Sequence, residues 1–366
     1  MTTIPLTSST EANITATKCP VWACNEWDPL EEVIVGTAIN AAVPAETRAM
    51  TEATMPEKYW TFFQEHAGRL FPAELLVKAQ EELDLLAETL ENLGIVVRRP
   101  DDLDWVALKG NSAAMARDVL LVAADEILET PVAWKSRQKE CWAYHSLLSE
   151  YAAGGARWES APKPMDPEAL IVADHRHSDR EFISVINESH PVFDAADFLR
   201  FGKDIVGQRS HVTNQTGINW LRHHLGPAFN VHILNVNDTH PMHIDATIMP
   251  LRPGLMLVNR HRAPIAELAG GLFKDWEFLI TPDPVAGDDP PFYFTSDWIN
   301  MNVLSIDHRR VLVEERQVPM IRLLEKAGLE PIVLPFRHVN SLGGSFHCAT
   351  LDIRRRGKLE RYLADV

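Results

Sequence analysis

A cysteine at the end of a glycine-containing loop is the residue of this sequence best suited to act as a nucleophile. The loop spans residues 341–348, contains Gly343 and Gly344, and places Cys348 just before a strand-like run at residues 349–353. Glycine lets the backbone approach a ligand closely, and a thiol on such a loop is more accessible than one in an apolar strand. Because a free cysteine is more often a small buried hydrophobe, the loop alone leaves both roles open.

A histidine and an acid elsewhere in the chain could activate that thiol. Cysteine ionises near pH ~8.5, so the thiol needs a base or a positive neighbour before it becomes a good nucleophile. His243 and Asp245 lie in a strand-like run, and residues two apart on a strand share a face, so we expect both to face one pocket. Asp194 could hold the other ring nitrogen and fix the tautomer. The predicted catalytic set is therefore Cys348, His243 and Asp194.

Two further carboxylates, Asp118 and Asp245, indicate the charge of the ligand. Carboxylates that face a thiol need a cation between them, and a planar guanidinium with its fork of N–H donors fits best. Its central carbon would be offered to the Cys348 sulfur, and its leaving amine would lie near His243. A metal ion is the alternative ligand, but the spacing of residues 194, 245 and 348 matches no usual zinc pattern, so we expect no metal and no cofactor.

A repeated unit along the chain would position these residues. A helix-like stretch, a glycine and a strand-like run recur five times, as periodicity and stop signals indicate. The five glycines are Gly94, Gly154, Gly226, Gly270 and Gly328. Two strand-like runs precede each of the last four helices, whereas the first helix has only residues 32–35 ahead of it, and the chain's end supplies an unpartnered strand after Cys348.

A ring in which the first and last strands complete one unit accounts both for the missing strand of the first unit and for the unpartnered strand at the end of the chain. We therefore predict an α/β fold, a five-bladed α/β propeller of pseudo-symmetric ββαβ units. Because the glycine spacing is uneven, a conventional α/β sheet stays open as the alternative. In the ring, the starts of corresponding strands converge at one end of the axis. The residues expected there are Arg117 and Asp118, Asp194 and Asp197, residues 243–245, Thr295 and Ser296, and Cys348.

Composition argues against several classes of function. The 366 residues carry 35 basic and 51 acidic side chains, a net charge of −16, which disfavours nucleic acid and membrane surfaces and suits a cationic ligand. We expect no membrane partner, since no apolar run approaches the ~20 residues of a span. Four cysteines without a C-x-x-C pair predict free thiols in a reducing compartment. Residues 1–19 are expected to form a disordered tail, and residues 20–366 a single domain.

Several long motifs, in order, carry a family resemblance. They are residues 25–36, 193–198, 208–210 with 212–214, 241–247, and 340–348 continuing to 354–357. From about residue 20 to its end, the chain resembles the amidinotransferases typified by arginine:glycine amidinotransferase, within the pentein superfamily of five-bladed α/β propellers. The resemblance is specific, because the deiminases of that superfamily share only the sparse catalytic pattern.

The resemblance implies arginine-dependent transamidination through an amidino-cysteine. Cys348 would attack the guanidinium carbon of L-arginine, and L-ornithine would leave with a proton from His243. An acceptor amine would then take the amidino group in a ping-pong cycle. Asp194 would orient the histidine, while Asp118 and Asp245 would bind the guanidinium.

The resemblance also implies residues for the rest of the substrate. Arg262 matches the residue that binds the donor's α-carboxylate, and Thr295 and Ser296 fall where the family has two serines for the amino-acid end. His240 stands where the glycine-using enzymes carry asparagine, beside Met242 at the acceptor end. We therefore expect an acceptor other than glycine, such as lysine, a diamine or a pathway intermediate, in the biosynthesis of a toxin or another secondary metabolite.

The family resemblance suggests a homodimer, and the absence of a transit peptide favours a cytoplasmic bacterial enzyme. Two other functions stay open. One is an arginine deiminase-like hydrolase of the guanidino group, in which water replaces the amine. The other is a ligand-binding protein that keeps the fold without the reaction.

Overall fold

Short strands alternate with helices throughout the computed structural model, which describes residues 19–176, 178, 180–285 and 296–364. The strands are β1 (Leu30–Val35), β2 (Val96–Arg98), β3 (Leu120–Ala123), β4 (Glu126–Glu129), β5 (Arg157–Ser160), β6 (Phe198–Phe201), β7 (Asp204–Gln208), β8 (Asn230–Leu234), β9 (Ile248–Arg252), β10 (Leu255–Val258), β11 (Glu277–Ile280), β12 (Leu304–Ser305), β13 (Arg310–Glu314), β14 (Glu330–Leu334) and β15 (Thr350–Arg355). The predicted tail at residues 1–19 lies outside the described residues apart from Cys19.

The helices fall into two classes. The α-helices are α1 (Arg48–Thr54), α2 (Trp60–His66), α3 (Ala73–Asn92), α4 (Trp105–Leu108), α5 (Ala116–Val119), α6 (His145–Ala153), α7 (Gln215–Leu225), α8 (Ile265–Gly270), α9 (Val318–Lys326) and α10 (Arg337–Asn340). The 3-10 helices are Glu57–Tyr59, Glu140–Tyr144, Pro167–Leu170, Ala195–Asp197, Gly226–Ala228, Ile244–Ala246 and Ile299–Met301. Within the described ranges, no helix has the length and apolarity needed to cross a bilayer.

In the part of the chain that the structure describes, the strands form five sheets of three strands each. Blade 1 has the order β15-β1-β2, and blades 2 to 5 have the orders β3-β4-β5, β6-β7-β8, β9-β10-β11 and β12-β13-β14. Each central strand pairs antiparallel with one neighbour and parallel with the strand that follows a helix. Val35 of β1 lies opposite Thr350 of β15, so the first and last strands complete one blade. The predicted five-bladed α/β propeller is confirmed, and the alternative of a conventional α/β sheet is wrong.

The first long helix shows why the sequence pattern was readable. The apolar side chains that α3 buries are Leu75, Ala79, Leu83, Leu86 and Leu90. Their spacing of three and four residues puts them on one face, where each buried leucine contributes about 1.5–3 kcal/mol. The helix ends at Asn92, and Gly94 follows two residues later with a φ of 81°, which favours glycine. The predicted order of helix, glycine and strand is therefore observed around Gly94.

The predicted strand starts are wrong in one respect. Asp118 lies in α5, and Asp194 and Asp245 lie at the 3-10 helices Ala195–Asp197 and Ile244–Ala246. The corresponding strands begin two to four residues later. A helical turn breaks the period-two alternation of a strand, so neighbouring acidic residues can point toward one place.

Buried ion pairs join three blades next to the Cys348 loop. Arg117 contacts Asp352 at 2.8 Å and Glu26 at 3.2 Å, and Arg200 contacts the same two acids, each at 2.6 Å. Removal of one partner from such a network leaves an uncompensated buried charge. Arg117 also donates from Nε to the carbonyl oxygen of His347 at 2.8 Å. The network therefore holds the backbone that carries the predicted nucleophile.

Candidate active site

A cavity of about 490 Å³ opens beside the loop that precedes β15. The predicted residues that line it are His240, Met242, His243, Asp245, Arg262, Ser296 and Cys348. Asp118 and Asp194 lie behind this lining and are buried. Thr295 lies outside the described residues, so its expected position is untested. The other predicted residues meet around one space, although they are spread along the chain from residue 118 to residue 348.

Cys348 ends its loop at the inner wall of the cavity, and only 2% of the residue is exposed. The expectation of an accessible thiol therefore holds only toward the cavity. A Cβ on Gly344 would lie 2.4 Å from the Cys348 Cβ and 3.0 Å from its Sγ. Glycine is required at this position because the loop packs directly on the cysteine.

His243 is oriented by one acid and approaches the thiol. Its Nε2 lies 3.1 Å from Asp194 Oδ2, and its Nδ1 lies 3.8 Å from Asp118 Oδ1. A ring nitrogen of His243, the Cys348 sulfur and an Asp118 oxygen all lie within 4.8 Å of one another. The imidazole can therefore exchange a proton with a group held at the sulfur.

The expectation that His243 and Asp245 share a strand face is wrong. His243 precedes the turn Ile244–Ala246 and has a φ of 58°. This left-handed conformation is uncommon for a residue with a side chain and is often found at functional sites. Both side chains line the cavity because the backbone bends at His243, and not because they alternate along a strand.

The charges around the sulfur shift the pKa values of both groups. Burial raises the pKa of the Cys348 thiol, and the carboxylates of Asp245 and Asp118 raise it further. Although His243 opposes the rise, the pKa of the thiol reaches about 12. Burial lowers the pKa of His243, but the charge of Asp118 and the hydrogen bonds to Asp194 and Cys348 together hold it well above its usual range. The resting site therefore favours a neutral thiol beside an imidazolium.

The acids around the thiol differ in their surroundings. Burial alone would raise the pKa of Asp245, but the hydrogen bond and charge of His347 outweigh it and lower the pKa. Burial raises the pKa of Asp118, although His243 and Arg137 oppose the rise. Asp118 Oδ1 and Asp194 Oδ1 accept no hydrogen bond from any residue that the structure describes. An unpaired carboxylate oxygen near the thiol is suited to a cationic ligand.

Arg137 is a site residue that the sequence interpretation missed. Its guanidinium contacts Asp118 at 2.9 Å, Asp194 at 3.4 Å and Glu140 at 2.9 Å, and the residue is 5% exposed. The three acids hold the pKa of Arg137 well above its usual range despite its burial. Several acids buried together require a buried cation. This requirement was the only signal in the sequence that could have pointed to Arg137.

Asn302 is a second missed residue and contacts the sulfur directly. Its Nδ2 donates to Cys348 Sγ at 2.9 Å and to Asp245 Oδ2 at 2.6 Å. Its Oδ1 accepts from the backbone N–H groups of Ser345 at 3.2 Å and Cys348 at 3.1 Å. One amide thus fixes the loop, the thiol and an acid, and nothing in its local sequence marks it.

The cavity lining also carries groups for the rest of a substrate. Arg262 Nε lies 3.1 Å from Asp238 Oδ2, and both residues line the cavity with Ser296. His240 and Met242 lie on the wall where α1 and the segment after it also contribute. The same cavity thus holds a candidate nucleophile and a guanidinium able to bind a carboxylate.

The site also offers donors for a metal ion. Asp118, His243 and Cys348 are close enough for one ion to bind all three. However, Asp118 is paired with the Arg137 guanidinium, and His243 with Asp194. Hydrogen-bonded acid–base pairs around a thiol are typical of nucleophilic catalysis.

Comparisons with known proteins agree with this geometry. No family model matches the chain. The L-arginine:L-lysine amidinotransferase of Pseudomonas savastanoi pv. phaseolicola is 48% identical over 357 residues, which cover 94% of this chain and 97% of that protein. The mitochondrial glycine amidinotransferase of Danio rerio is 43% identical over 364 residues, which cover 95% of this chain and 86% of that protein. The solved structure of an amidinotransferase from Microseira wollei, in the saxitoxin biosynthetic pathway, has a TM-score of 0.87 and 41% identity, and the match covers 94% of this chain and 100% of that chain.

Proposed function

The chain belongs to the amidinotransferase family, and we propose that it transfers the amidino group of L-arginine to an acceptor amine through a covalent intermediate on Cys348. The observation that carries the proposal is the thiol at the inner wall of the cavity, in contact with Asn302 and Asp245 and within 4.8 Å of His243. A sulfur surrounded by acids and an imidazole suits attack on a flat cationic carbon.

Binding of L-arginine prepares the thiol. The guanidinium brings a positive charge to Asp245 and Asp118, the two acids that raise the pKa of Cys348. Once these charges are compensated, the thiol pKa falls. The thiol donates to Asp245 Oδ2 at 3.4 Å, so its proton leaves toward that carboxylate and solvent. The nucleophile therefore forms mainly when the substrate is present.

Transfer to the enzyme then needs an acid. The Cys348 thiolate attacks the guanidinium carbon, and His243, held as imidazolium, donates its proton to the δ-nitrogen that leaves with L-ornithine. The products are neutral imidazole and a positively charged amidino-cysteine. Asp194 keeps the ring in place through its 3.1 Å contact with Nε2, which is the role of the acid in a catalytic triad.

Transfer to the acceptor reverses these steps. The neutral acceptor amine enters the space that L-ornithine left and attacks the amidino carbon. His243 takes the amine's proton, and the thiolate leaves with its electron pair. Charge and protons balance, because the imidazolium and thiolate of the first step are restored. One cavity that donor and acceptor would occupy in turn supports this ping-pong order.

We propose an acceptor other than glycine, with lysine as the first candidate. An acceptor that resembles L-ornithine can place its carboxylate at Arg262 and its side-chain amine near Cys348, as the departing product did. The relative named for lysine is 48% identical and the relative named for glycine is 43% identical. His240 also lines the cavity, at the position where the glycine-using enzymes carry asparagine. The relative from the saxitoxin pathway supports a role in secondary metabolism.

A screen of amines with L-arginine tests the proposed reaction. We expect L-ornithine and a guanidino product in equal amounts, with lysine or a diamine a better acceptor than glycine. Ornithine is quantified by chromatography and the product by mass. Agmatine, which lacks the α-carboxylate, is the matched donor control and should show a raised KM because it offers Arg262 no carboxylate to bind. Citrulline as the main product would instead indicate the hydrolase alternative.

Substitution of Asn302 tests its role at the sulfur. Loss of one hydrogen-bond donor to a developing anion costs about 10²-fold in kcat, and we expect this loss for Asn302→Ala. Asn302→Asp removes the N–H donor and adds a carboxylate, so it should raise the thiol pKa further than Asn302→Ala. The measurement is the pH dependence of Cys348 alkylation by iodoacetamide. Alkylation profiles that match the wild type in both variants would show that Asn302 has only a structural role.

Residues 20–366 are proposed to form a single domain, because β15 completes blade 1 with β1. Limited proteolysis would test this by yielding one resistant core. A homodimer and a cytoplasmic location are proposed from the family resemblance alone. Light scattering of the purified protein and fractionation of its host cells are the corresponding measurements.

A further inference from the structure

A second cluster of reactive side chains lies in blade 2, apart from the cavity lining. Cys141 belongs to the 3-10 helix Glu140–Tyr144, Glu129 ends β4, and Lys163 follows β5. Lys163 Nζ lies 2.7 Å from Cys141 Sγ and 2.9 Å from Glu129 Oε2. Cys141 is 3% exposed and Glu129 is 4% exposed, whereas 25% of the Lys163 side chain is exposed. The proposed reaction at Cys348 uses none of these groups.

The nitrogen and sulfur are unusually close. A separation of 2.7 Å is at the short end for N–H···O hydrogen bonds, and sulfur is a larger atom than oxygen. Two atoms at this distance can each bond to one shared atom placed between them. Glu129 holds the lysine in this position, and the Glu129 carboxylate also accepts from Trp158 Nε1 at 2.9 Å and contacts His145 Nε2 at 3.0 Å. The geometry is therefore fixed from several sides.

A metal ion is the competing ligand for this cluster. Glu129, Cys141 and His145 have donor atoms within 4.8 Å of one another. However, the Lys163 ammonium already lies between the sulfur and the carboxylate, and its charge would repel a second cation. The contacts favour chemistry of the lysine–cysteine pair over metal binding.

We propose that Cys141 and Lys163 form a reversible covalent bridge through one oxygen atom, Sγ–O–Nζ, with dioxygen as the oxidant. The S–H bond and one N–H bond of the neutral amine break, and S–O and O–N bonds form. Sulfur and nitrogen each give up two electrons, and the four electrons reduce dioxygen to the bridging oxygen and one water. The extra proton of the ammonium passes to Glu129, which already accepts a hydrogen bond from Nζ.

The bridge would lie one residue from a group that organises the catalytic site. Glu140 precedes Cys141 in the same 3-10 helix and contacts Arg137, which in turn contacts Asp118. A bond from Cys141 to Lys163 would tie this helix to the segment after β5. The modification is thus positioned to limit movement of Arg137.

Intact mass spectrometry of the full chain, purified in air without reductant, tests the proposal. We expect a gain of about 14 Da, one oxygen added and two hydrogens lost, which dithiothreitol reverses. A tryptic map should join the Cys141 peptide to the Lys163 peptide. Cys348→Ser should keep the gain, whereas Cys141→Ser and Lys163→Met should abolish it. Joined peptides in the wild type support the bridge even if a variant folds poorly.

Three results would overturn the bridge. They are no mass change after prolonged exposure to oxygen-saturated buffer, a gain of about 16 Da that marks oxidation of the sulfur alone, and a 14 Da gain that persists after reduction, as methylation would. As a second readout, the oxidised wild type should have a higher Tm than the reduced protein, because the bridge restricts the unfolded chain. The Tm of Cys141→Ser should not respond to reductant.

Discussion

Cys348→Ala is expected to lower turnover by about 10⁵-fold or more while the fold is kept. The Cys348 sulfur is the group that would bond to the amidino carbon, and neither Asn302 nor Asp245 can replace it as a nucleophile. The loop backbone should stay in place, because it is held by Asn302 Oδ1 and Arg117 rather than by the thiol. The measurement is L-ornithine release under saturating L-arginine and acceptor.

A trapped intermediate sharpens this test. Wild-type protein incubated with L-arginine alone should gain about 42 Da, the mass of one amidino group in place of a hydrogen, on Cys348. Cys348→Ala should gain nothing. The matched control is Cys24→Ala, which removes another buried thiol that does not line the cavity and should leave turnover intact. Substantial activity in Cys348→Ala would rule out covalent catalysis at this residue.

His243→Asn is expected to lower kcat by about 10³–10⁴-fold, with a smaller change in KM. In the proposed reaction the imidazole would donate a proton to the leaving amine and later accept one, whereas Asp245 and Arg262 would still bind the donor. Asparagine is a suitable replacement because it tolerates a positive φ better than most residues, and His243 has a φ of 58°. Steady-state kinetics with both substrates separate kcat from KM. A variant that retains most of its kcat would show that another group transfers the proton.

The same variant should change how stability depends on pH. The pKa of His243 is raised in the folded protein, so the folded state binds this proton more tightly than the unfolded state. The resulting stabilisation is fully present below about pH 6.5, the ordinary range of histidine, and is lost as the pH rises through the folded-state pKa. The Tm deficit of His243→Asn relative to the wild type should therefore be largest at acid pH and shrink toward alkaline pH. A constant deficit would contradict the raised pKa.

The sequence was sufficient for features that depend on near neighbours or on the order of repeated units. The spacing of apolar residues in α3 and the Gly94 that follows the helix predicted one unit. The unpartnered strand after Cys348 predicted that blade 1 is completed by the end of the chain. Long motifs in order indicated the family. These signals are readable because helix periodicity and turn chemistry act over a few residues.

Only the tertiary structure could decide which side chains contact one another in the site. Arg137 contacts Asp194, which lies 57 positions away in the sequence, and Asn302 contacts the Cys348 sulfur, 46 positions away. No pattern in the neighbouring sequence marks either residue. Strand periodicity misplaced His243 and Asp245, because the chain turns at a strained residue before its strand begins. Burial and nearby charged groups set the pKa values of the thiol and the imidazole. These surroundings exist only once the blades have closed, because the packing of distant segments excludes water and brings the charges together.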